Sequence, residues 1–274
     1  MEGYKKSIIP LIEAMNSNFT ATEKLIAEFF INNLDKDHLN IEAVSKKIFV
    51  SKASLSRFAK KCGFKGYREF IYIYELSLNE EKEPMDKLKK EVLSTYQRLL
   101  DRSYTLIDEE QIKGLSKMLM SHKKVYVYGI GSSGLAAREF KIRFMRLGMN
   151  VEAITDEQTM LMNKVVVDEG SLVIGLTVSG KTKTILKGLR DAEKKGASTV
   201  IITSSNNYSF KEYCQEVVLI AVTKNLHIGN VISPQFPILI VLDILYSHFL
   251  NSDYKGKLAK LQDTLKDIEY EIEK

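Results

Sequence analysis

The segment ATEKLIAEFFINNL at 21–34 sets Leu25, Ile26, Phe29, Phe30 and Ile31 on one broad face, the spacing of an amphipathic helix, with Thr20 or Thr22 placed to cap it. Two more helical patterns follow, NIEAVSKKIFV at 40–50 and KASLSRFAKKCGF at 52–64, joined by a short connection at Ser51. No strand pattern emerges before residue 78. NEEKEPMDKLKK at 79–90 is charged, contains Pro84 and reads as a linker or the polar start of a connecting helix. Helical periodicity resumes at 92–107 and 112–122. From Lys124 the rhythm changes to short apolar runs near 124–130, 150–154, 171–177, 198–204 and 216–222, with amphipathic helical segments in between and two closing helices near 231–250 and 254–272. Strands alternating with helices predict a parallel sheet covered on both faces. The expected fold is α/β: an all-helical domain at 1–78, a linker and connecting helix at 79–105, a three-layer αβα domain with a five-stranded parallel sheet at 106–252, and a C-terminal helix at 253–274.

Composition supports this division. A chain of 274 residues exceeds one ordinary domain, and 45% hydrophobic with 27% charged residues supply a globular core. Cys62 and Cys214 form no CxxC pair and the four histidines have no ligand spacing, so no structural metal is expected. The N-terminal MEGYKKSIIP lacks the apolar core of a signal peptide. FPILIVLDILYSHFL at 236–250 is interrupted by Asp243 and too short to span a bilayer. The expectation is a cytoplasmic protein with no membrane partner.

The net charge of +5 is modest, but its distribution is uneven. Residues 43–68 hold eight lysines and arginines and no acidic residue. This run coincides with a helix, a tight turn and a second helix. Ala43, Val44 and Ile48 point inward, Val50 sits in the turn, and Leu55, Phe58 and Ala59 pack the second helix. Short hydroxyls at the start of that helix and bases further along suit a recognition helix in a major groove, where early residues reach base edges and cations hold phosphates. The candidate DNA contacts are Lys46, Ser51, Lys52, Ser54, Ser56, Arg57, Lys60 and Lys61; a purely structural helical hairpin is the competing reading. The run SKASLSRFAKKCGFKGYREF at 51–70 resembles the N-terminal domain of RpiR-type transcription regulators, whose G-F-x-G-[FY]-x-E-F pattern is matched by Gly63, Phe64, Gly66, Tyr67, Glu69 and Phe70. Gly63 is expected to stop the second helix and Gly66 to permit a turn, with Phe64, Tyr67 and Phe70 packing the next helix back.

The second half carries two phosphate signatures. GLTVSGKT at 175–182 satisfies the P-loop pattern, yet Gly175 falls inside an expected strand, Val178 is β-branched, and the next strand, STVIITSS, ends in hydroxyls where an NTPase needs a carboxylate. GIGSSG at 129–134 satisfies the dinucleotide pattern, with Asp156 as a ribose acceptor, but leaves the second loop unexplained and comes with no hydride-transfer site. A third reading joins both loops: two strand-to-helix turns on one sheet edge, offering helix N-termini and short hydroxyls to one compact phosphate monoester. Small residues in tight turns are the bland alternative. The constellation resembles the sugar isomerase (SIS) domain, which binds phosphorylated sugars. Its S-x-S-G-x-T-x-[ED] loop is matched conservatively by Thr177, Ser179, Gly180 and Thr182, and its GxGxS loop by Gly129, Gly131 and Ser133.

What the resemblance implies is a regulator that binds operator DNA through its helix-turn-helix and a phosphorylated sugar through its SIS domain, as a homodimer or homotetramer and without a cofactor. The expected ligand contacts are Gly131, Ser132, Ser133, Thr177, Ser179, Gly180, Thr182 and Glu157. The helix at 231–250 is expected to offer a dimer surface. At the position where SIS domains often carry an acid, this chain has Lys183. Isomerisation needs a base, for which Asp156 and Glu157 are the candidates, with His227 for ring opening. The competing expectation is therefore a sugar-phosphate isomerase with an accessory helical domain.

Overall fold

The computed structural model describes residues 8–33, 39–78, 87–223, 226 and 231–272. The chain divides into two compact units, Met1–Met85 and Asp86–Lys274.

The first unit is helical: α1 (Ile8–Ala14), α2 (Ala21–Asn32), α3 (Ile41–Lys47), α4 (Lys52–Lys61) and α5 (Tyr67–Leu78). Polar caps set the starts. Thr20 and Glu23 form a reciprocal capping box on α2, Asn40 Oδ1 accepts from the Ala43 amide at 2.9 Å, and Ser51 Oγ accepts from the Ser54 amide at 3.0 Å. Ser51, expected as a connection, is thus the cap of α4. The core is aromatic. Phe30 is fully buried and its ring centroid lies 4.8 Å from Phe70 and 5.0 Å from Tyr74, both edge-on. Buried phenols keep hydrogen bonds, Tyr67 donating to the Leu39 carbonyl at 3.0 Å and Tyr74 to the Phe30 carbonyl at 2.9 Å. Gly63 ends α4 at φ +91°, as its position suggested. Gly66 does not use its freedom: its φ is outside the left-handed region and the space beside it is open, so any small residue would serve the turn.

The second unit contains α6 (Lys87–Leu106), α7 (Glu109–Ser121), β1 (Lys124–Gly129), α8 (Ser132–Met145), β2 (Val151–Ile154), α9 (Glu157–Met162), β3 (Ser171–Thr177), α10 (Lys183–Glu193), β4 (Ser198–Thr203), β5 (Glu216–Leu219), α11 (Phe236–Asn251) and α12 (Tyr254–Ile272). The described strands form one all-parallel sheet in the order β2-β1-β3-β4-β5. Alternate residues feed two cores. Val125, Val127, Ile174 and Ile202 meet Phe140, Phe144 and Leu245 on one face, whereas Tyr126, Tyr128, Val173 and Ile201 meet Met160, Ile185, Leu189 and Phe210 on the other.

The helix expected to connect the halves, α6, buries Leu99 against Ala221, Leu226 and Ile232 of its own unit, and Tyr96 stacks edge-on to Phe236 at 4.5 Å. The apolar helix α11 is largely covered by its own unit as well, with Ile238, Val241, Leu242 and Leu245 at 1% exposure or less. A helix apolar on nearly every side belongs in a core; the aliphatic residues of α11 left half-buried are Leu239, Ile240, Ile244 and Leu250. The apolar side chains left exposed lie elsewhere, notably Leu135, Ile142 and Met145 along one stripe of α8.

Candidate functional site

The helical unit presents one side of α4 to solvent. Ser51, Lys52, Arg57 and Lys60 are exposed, Ser54 and Ser56 are half-buried, and Lys46 is exposed in the last turn of α3. Their cations are not equivalent. Lys61 donates to Glu23 Oε2 at 2.7 Å and to the Asn18 carbonyl at 2.8 Å and lies over the Phe19 ring, so it braces α4 against the segment before α2. Lys52 pairs with Glu42, whose carboxyl is held below its ordinary pKa chiefly by that hydrogen bond. Among the described residues, Lys46, Arg57 and Lys60 have no carboxylate partner. Arg57 Nη2 donates to Ser54 Oγ at 3.3 Å, and Ser54 and Ser51 share a hydroxyl hydrogen bond of 2.9 Å. The face therefore offers a polar N-terminal turn followed by two unpaired cations. Pattern reading did not single out Phe49, in the turn between α3 and α4: it is 94% exposed and has φ +54°.

In the α/β unit, the sheet order places β1 and β3 side by side, while β2 follows β1 outward in one direction and β4 follows β3 in the other. The chain reverses its winding between β1 and β3, and at the carboxyl ends of such strands the outgoing turns diverge and leave a crevice. The turns there are the two hydroxyl-bearing loops. Gly131 caps α8 at φ +59°, Ser132 and Ser133 form the helix's first turn, and Ser133 is buried. Gly129 is fitted against this turn: a Cβ on it would stand 2.4 Å from the Ser133 carbonyl oxygen. In the second loop Thr177 and Thr182 share a hydroxyl hydrogen bond of 3.0 Å, Ser179 Oγ accepts from the Lys181 amide at 3.2 Å, and Gly180 turns the chain at φ +67°. Both helices direct N-terminal amides, and the positive end of their dipoles, toward the same sheet edge.

A third strand end supports the second loop. Ser204 donates its amide and its hydroxyl to the Val178 carbonyl, at 3.1 and 2.7 Å. A Cβ on Gly180 would lie 2.6 Å from Ser205 Cβ and 2.9 Å from Thr203 Oγ1. The hydroxyls of STVIITSS were legible as an argument against magnesium binding; their packing beneath Gly180 was not. The carboxylates also separate. Asp156 caps α9, accepting from the Thr159 amide at 2.8 Å, and this bond holds its carboxyl below its ordinary pKa. Glu157 accepts from Thr184 Oγ1 at 3.1 Å, which brings it to the first turn of α10 beside the second loop. Lys183 begins α10 and is exposed. His227 lies outside the described residues.

The same geometry disposes of the P-loop. Gly175 is a strand residue paired with Tyr128 and Ile201, and a Cβ there would stand 2.7 Å from Leu189 Cδ1. Its glycine serves helix-to-sheet packing, and the distance to Lys181 along the chain is incidental. A cleft of about 600 Å³ also opens beyond the ends of β4 and β5, lined mainly by Leu106, Leu219, Ile220, Ala221 and Val222 with Arg102 at its wall; it is apolar and unlike the hydroxyl loops.

Two family models divide the chain between them. Residues 6–81 match the helix-turn-helix domain of the rpiR family, and residues 118–243 match the SIS domain. The chain belongs to the RpiR family of helix-turn-helix transcriptional regulators. A similar protein is an uncharacterised HTH-type transcriptional regulator of Clostridium perfringens, 23% identical over 266 residues that span 92% of this chain and 95% of the relative. Among solved structures, the NanR protein of Vibrio vulnificus, in complex with ManNAc-6P, aligns over 96% of this RpiR-family chain and 98% of its own, with a TM-score of 0.59 and 19% identity. The sugar isomerase domain of an RpiR transcription factor from Sphaerobacter thermophilus aligns over 66% of this chain and 99% of its own, with a TM-score of 0.60 and 19% identity. At such identities the structures speak for the RpiR-type fold; the contacts of each site rest on its own geometry.

Proposed function

We propose that the chain is a transcriptional regulator whose helix-turn-helix domain, residues 1–78, binds operator DNA under the control of a phosphorylated sugar bound by the domain at 106–252. The observation that carries the effector half is the meeting of two hydroxyl-bearing strand-to-helix turns at the winding reversal between β1 and β3. Ser132, Ser133, Ser179 and Thr182, with backbone amides from Gly131 and Gly180, suit the three oxygens of a compact phosphate monoester. Thr177 supports the set through its bond to Thr182, and Glu157, bonded to Thr184 beside the second loop, is assigned to the sugar hydroxyls. The ManNAc-6P carried by the Vibrio relative supports a sugar phosphate as the ligand class. On the DNA side, Ser51, Ser54 and Ser56 reach base edges while Lys46, Arg57 and Lys60 hold phosphates; Lys52 joins them by releasing Glu42, and Lys61 acts mainly as a brace.

The site senses its sugar and does not turn it over. Asp156 is committed to capping α9, Glu157 is bonded to Thr184, and a lysine stands at 183. No cofactor enters this reading. One recognition helix contacts few bases, so a homodimer or homotetramer reads two half-sites, with the apolar stripe of α8 as its contact surface. The effector acts by binding the DNA-competent and DNA-incompetent arrangements with different affinity.

The deciding experiment is a thermal-shift screen of the full chain against a panel of hexose, pentose and N-acetylamino-sugar phosphates. A ligand at a hundred times its Kd stabilises the folded state by about 2.7 kcal/mol. Replacing Ser179 and Thr182 together by Ala is expected to abolish that shift while leaving DNA binding of the free protein intact. A panel that shifts nothing overturns the effector reading. Turnover of a sugar phosphate that disappears in Glu157→Gln would favour the isomerase.

A further inference from the structure

Among the described residues, four helices end in the same way, with an amide reaching back five residues over a residue in the left-handed region. In α4 the Phe64 amide bonds the Ala59 carbonyl at 3.0 Å over Gly63; after α8 the Met149 amide bonds Phe144 at 3.2 Å over Gly148; after α10 the Ala197 amide bonds Ala192 at 3.2 Å over Gly196. At the end of α3 the Val50 amide bonds the Ser45 carbonyl at 3.1 Å, and the residue in between is Phe49. Among the described residues Phe49 is the one non-glycine residue with positive φ. The left-handed region costs an L-residue roughly five- to thirty-fold in population relative to glycine, which is why glycine dominates this position. The side chain does nothing inside the domain to offset that cost, because the ring is 94% exposed.

The turn also fixes the backbone that carries the ring. Ser45 Oγ donates to the Val50 carbonyl at 2.6 Å, so Ser45 clasps Val50 from both sides and fixes the backbone around Phe49. Phe49 stands two residues before Ser51, the cap of α4, in a stretch from 43 to 68 that contains eight basic residues and no acid. An apolar ring presented to solvent from a fixed turn, in a stretch rich in cations, fits an anionic partner that also has apolar surface. DNA is such a partner: its groove walls carry thymine methyl groups beside phosphates. Resting on the reading of α4 as the recognition helix, we infer that Phe49 packs against a thymine methyl group at the edge of the bases read by Ser51 and Ser54, and so helps to set operator sequence.

The test uses the full chain and a duplex it selects from a randomised pool. Phe49→Gly removes the ring and relieves the backbone, so the variant is expected to melt higher than the parent yet bind the selected duplex roughly tenfold more weakly, the size of one lost base-pair preference. Binding to an unselected duplex of the same length is expected to stay within about twofold. In a second arm each thymine of the selected duplex is replaced in turn by deoxyuridine, which lacks only the methyl group. One replacement is expected to weaken the parent several-fold and leave Phe49→Gly unaffected. The inference fails if Phe49→Gly binds the selected duplex as the parent does, if it melts lower, or if the two losses simply add. A parent that selects no duplex, or an Arg57→Ala, Lys60→Ala double variant that binds undiminished, overturns the recognition helix itself and this inference with it.

Discussion

The two units place their candidate chemistry on different parts of the polypeptide. In the helical unit the chemistry is on side chains: α4 buries Leu55, Phe58 and Ala59, and what remains outside is the polar and basic set that would meet DNA. In the α/β unit it is on the backbone. Gly131 and Gly180 adopt left-handed conformations, two helix N-termini converge, and the hydroxyls line turns whose partners are nearly fifty residues apart in sequence. A helix face can be read by subtraction, since the apolar period names the inner residues and leaves the outer ones. A crevice between strand ends depends on strand order, and strand order is a long-range property of the sheet.

Four variants test this contrast. The largest effect is expected from Phe30→Ala, which removes the ring at the centre of the aromatic core at a cost of about 3–5 kcal/mol. The expected signature is local. Burial pushes both cysteine thiols up to about 12, so both are inert in the folded chain; alkylation of Cys62 should become fast in this variant while Cys214 stays protected. Simultaneous labelling of both would show that the units do not unfold independently.

Next in size is the Arg57→Ala, Lys60→Ala double variant, expected to lose on the order of a hundredfold in duplex affinity and to flatten the salt dependence by roughly one or two ions. Both side chains are exposed, so its melting temperature is expected to hold. A parallel loss of stability would return α4 to a structural role. Gly175→Ala should cost about 1–3 kcal/mol of stability in the α/β unit by forcing a methyl group against Leu189 and Ile185, with sugar-phosphate affinity of the folded protein unchanged. Loss of ligand affinity at full stability would instead make Gly175 part of a phosphate loop.

The smallest effect is electrostatic. Glu23 has its carboxyl held below its ordinary pKa, first by the Lys61 hydrogen bond and then by the Thr20 amide. A depressed folded-state pKa contributes stability above the unfolded-state value, and that contribution disappears as pH falls through the folded one. Glu23→Gln should therefore cost about 1 kcal/mol or less at neutral pH and weaken the acid dependence of the helical unit's melting. An unchanged acid limb in a denaturation series would remove the Lys61 brace from the account.

Much of the fold was legible because local periodicity and local caps carried it. The alternation of strands and helices after Lys124, the cap at Thr20 and the helix stop at Gly63 are consequences of neighbouring residues, and each stands where its pattern predicts. The candidate site was legible by residue type, since two hydroxyl-rich turns after strands announce an anion, but not in its division of labour. That Asp156 caps a helix, that Ser204 and Ser205 sit beneath the second loop, and that Lys61 braces while Lys60 stays unpaired depend on contacts between distant segments. The glycine at position 66 proved unnecessary for the same reason: an open turn needs none, which only the space around it shows. The elements, their caps and the chemistry available at their ends are legible in the sequence, because they follow from interactions within a few residues. Which ends meet, which cations remain unpaired and that an exposed phenylalanine occupies a glycine's conformation emerge from the folded chain alone, because those are set by strand order, burial and backbone geometry.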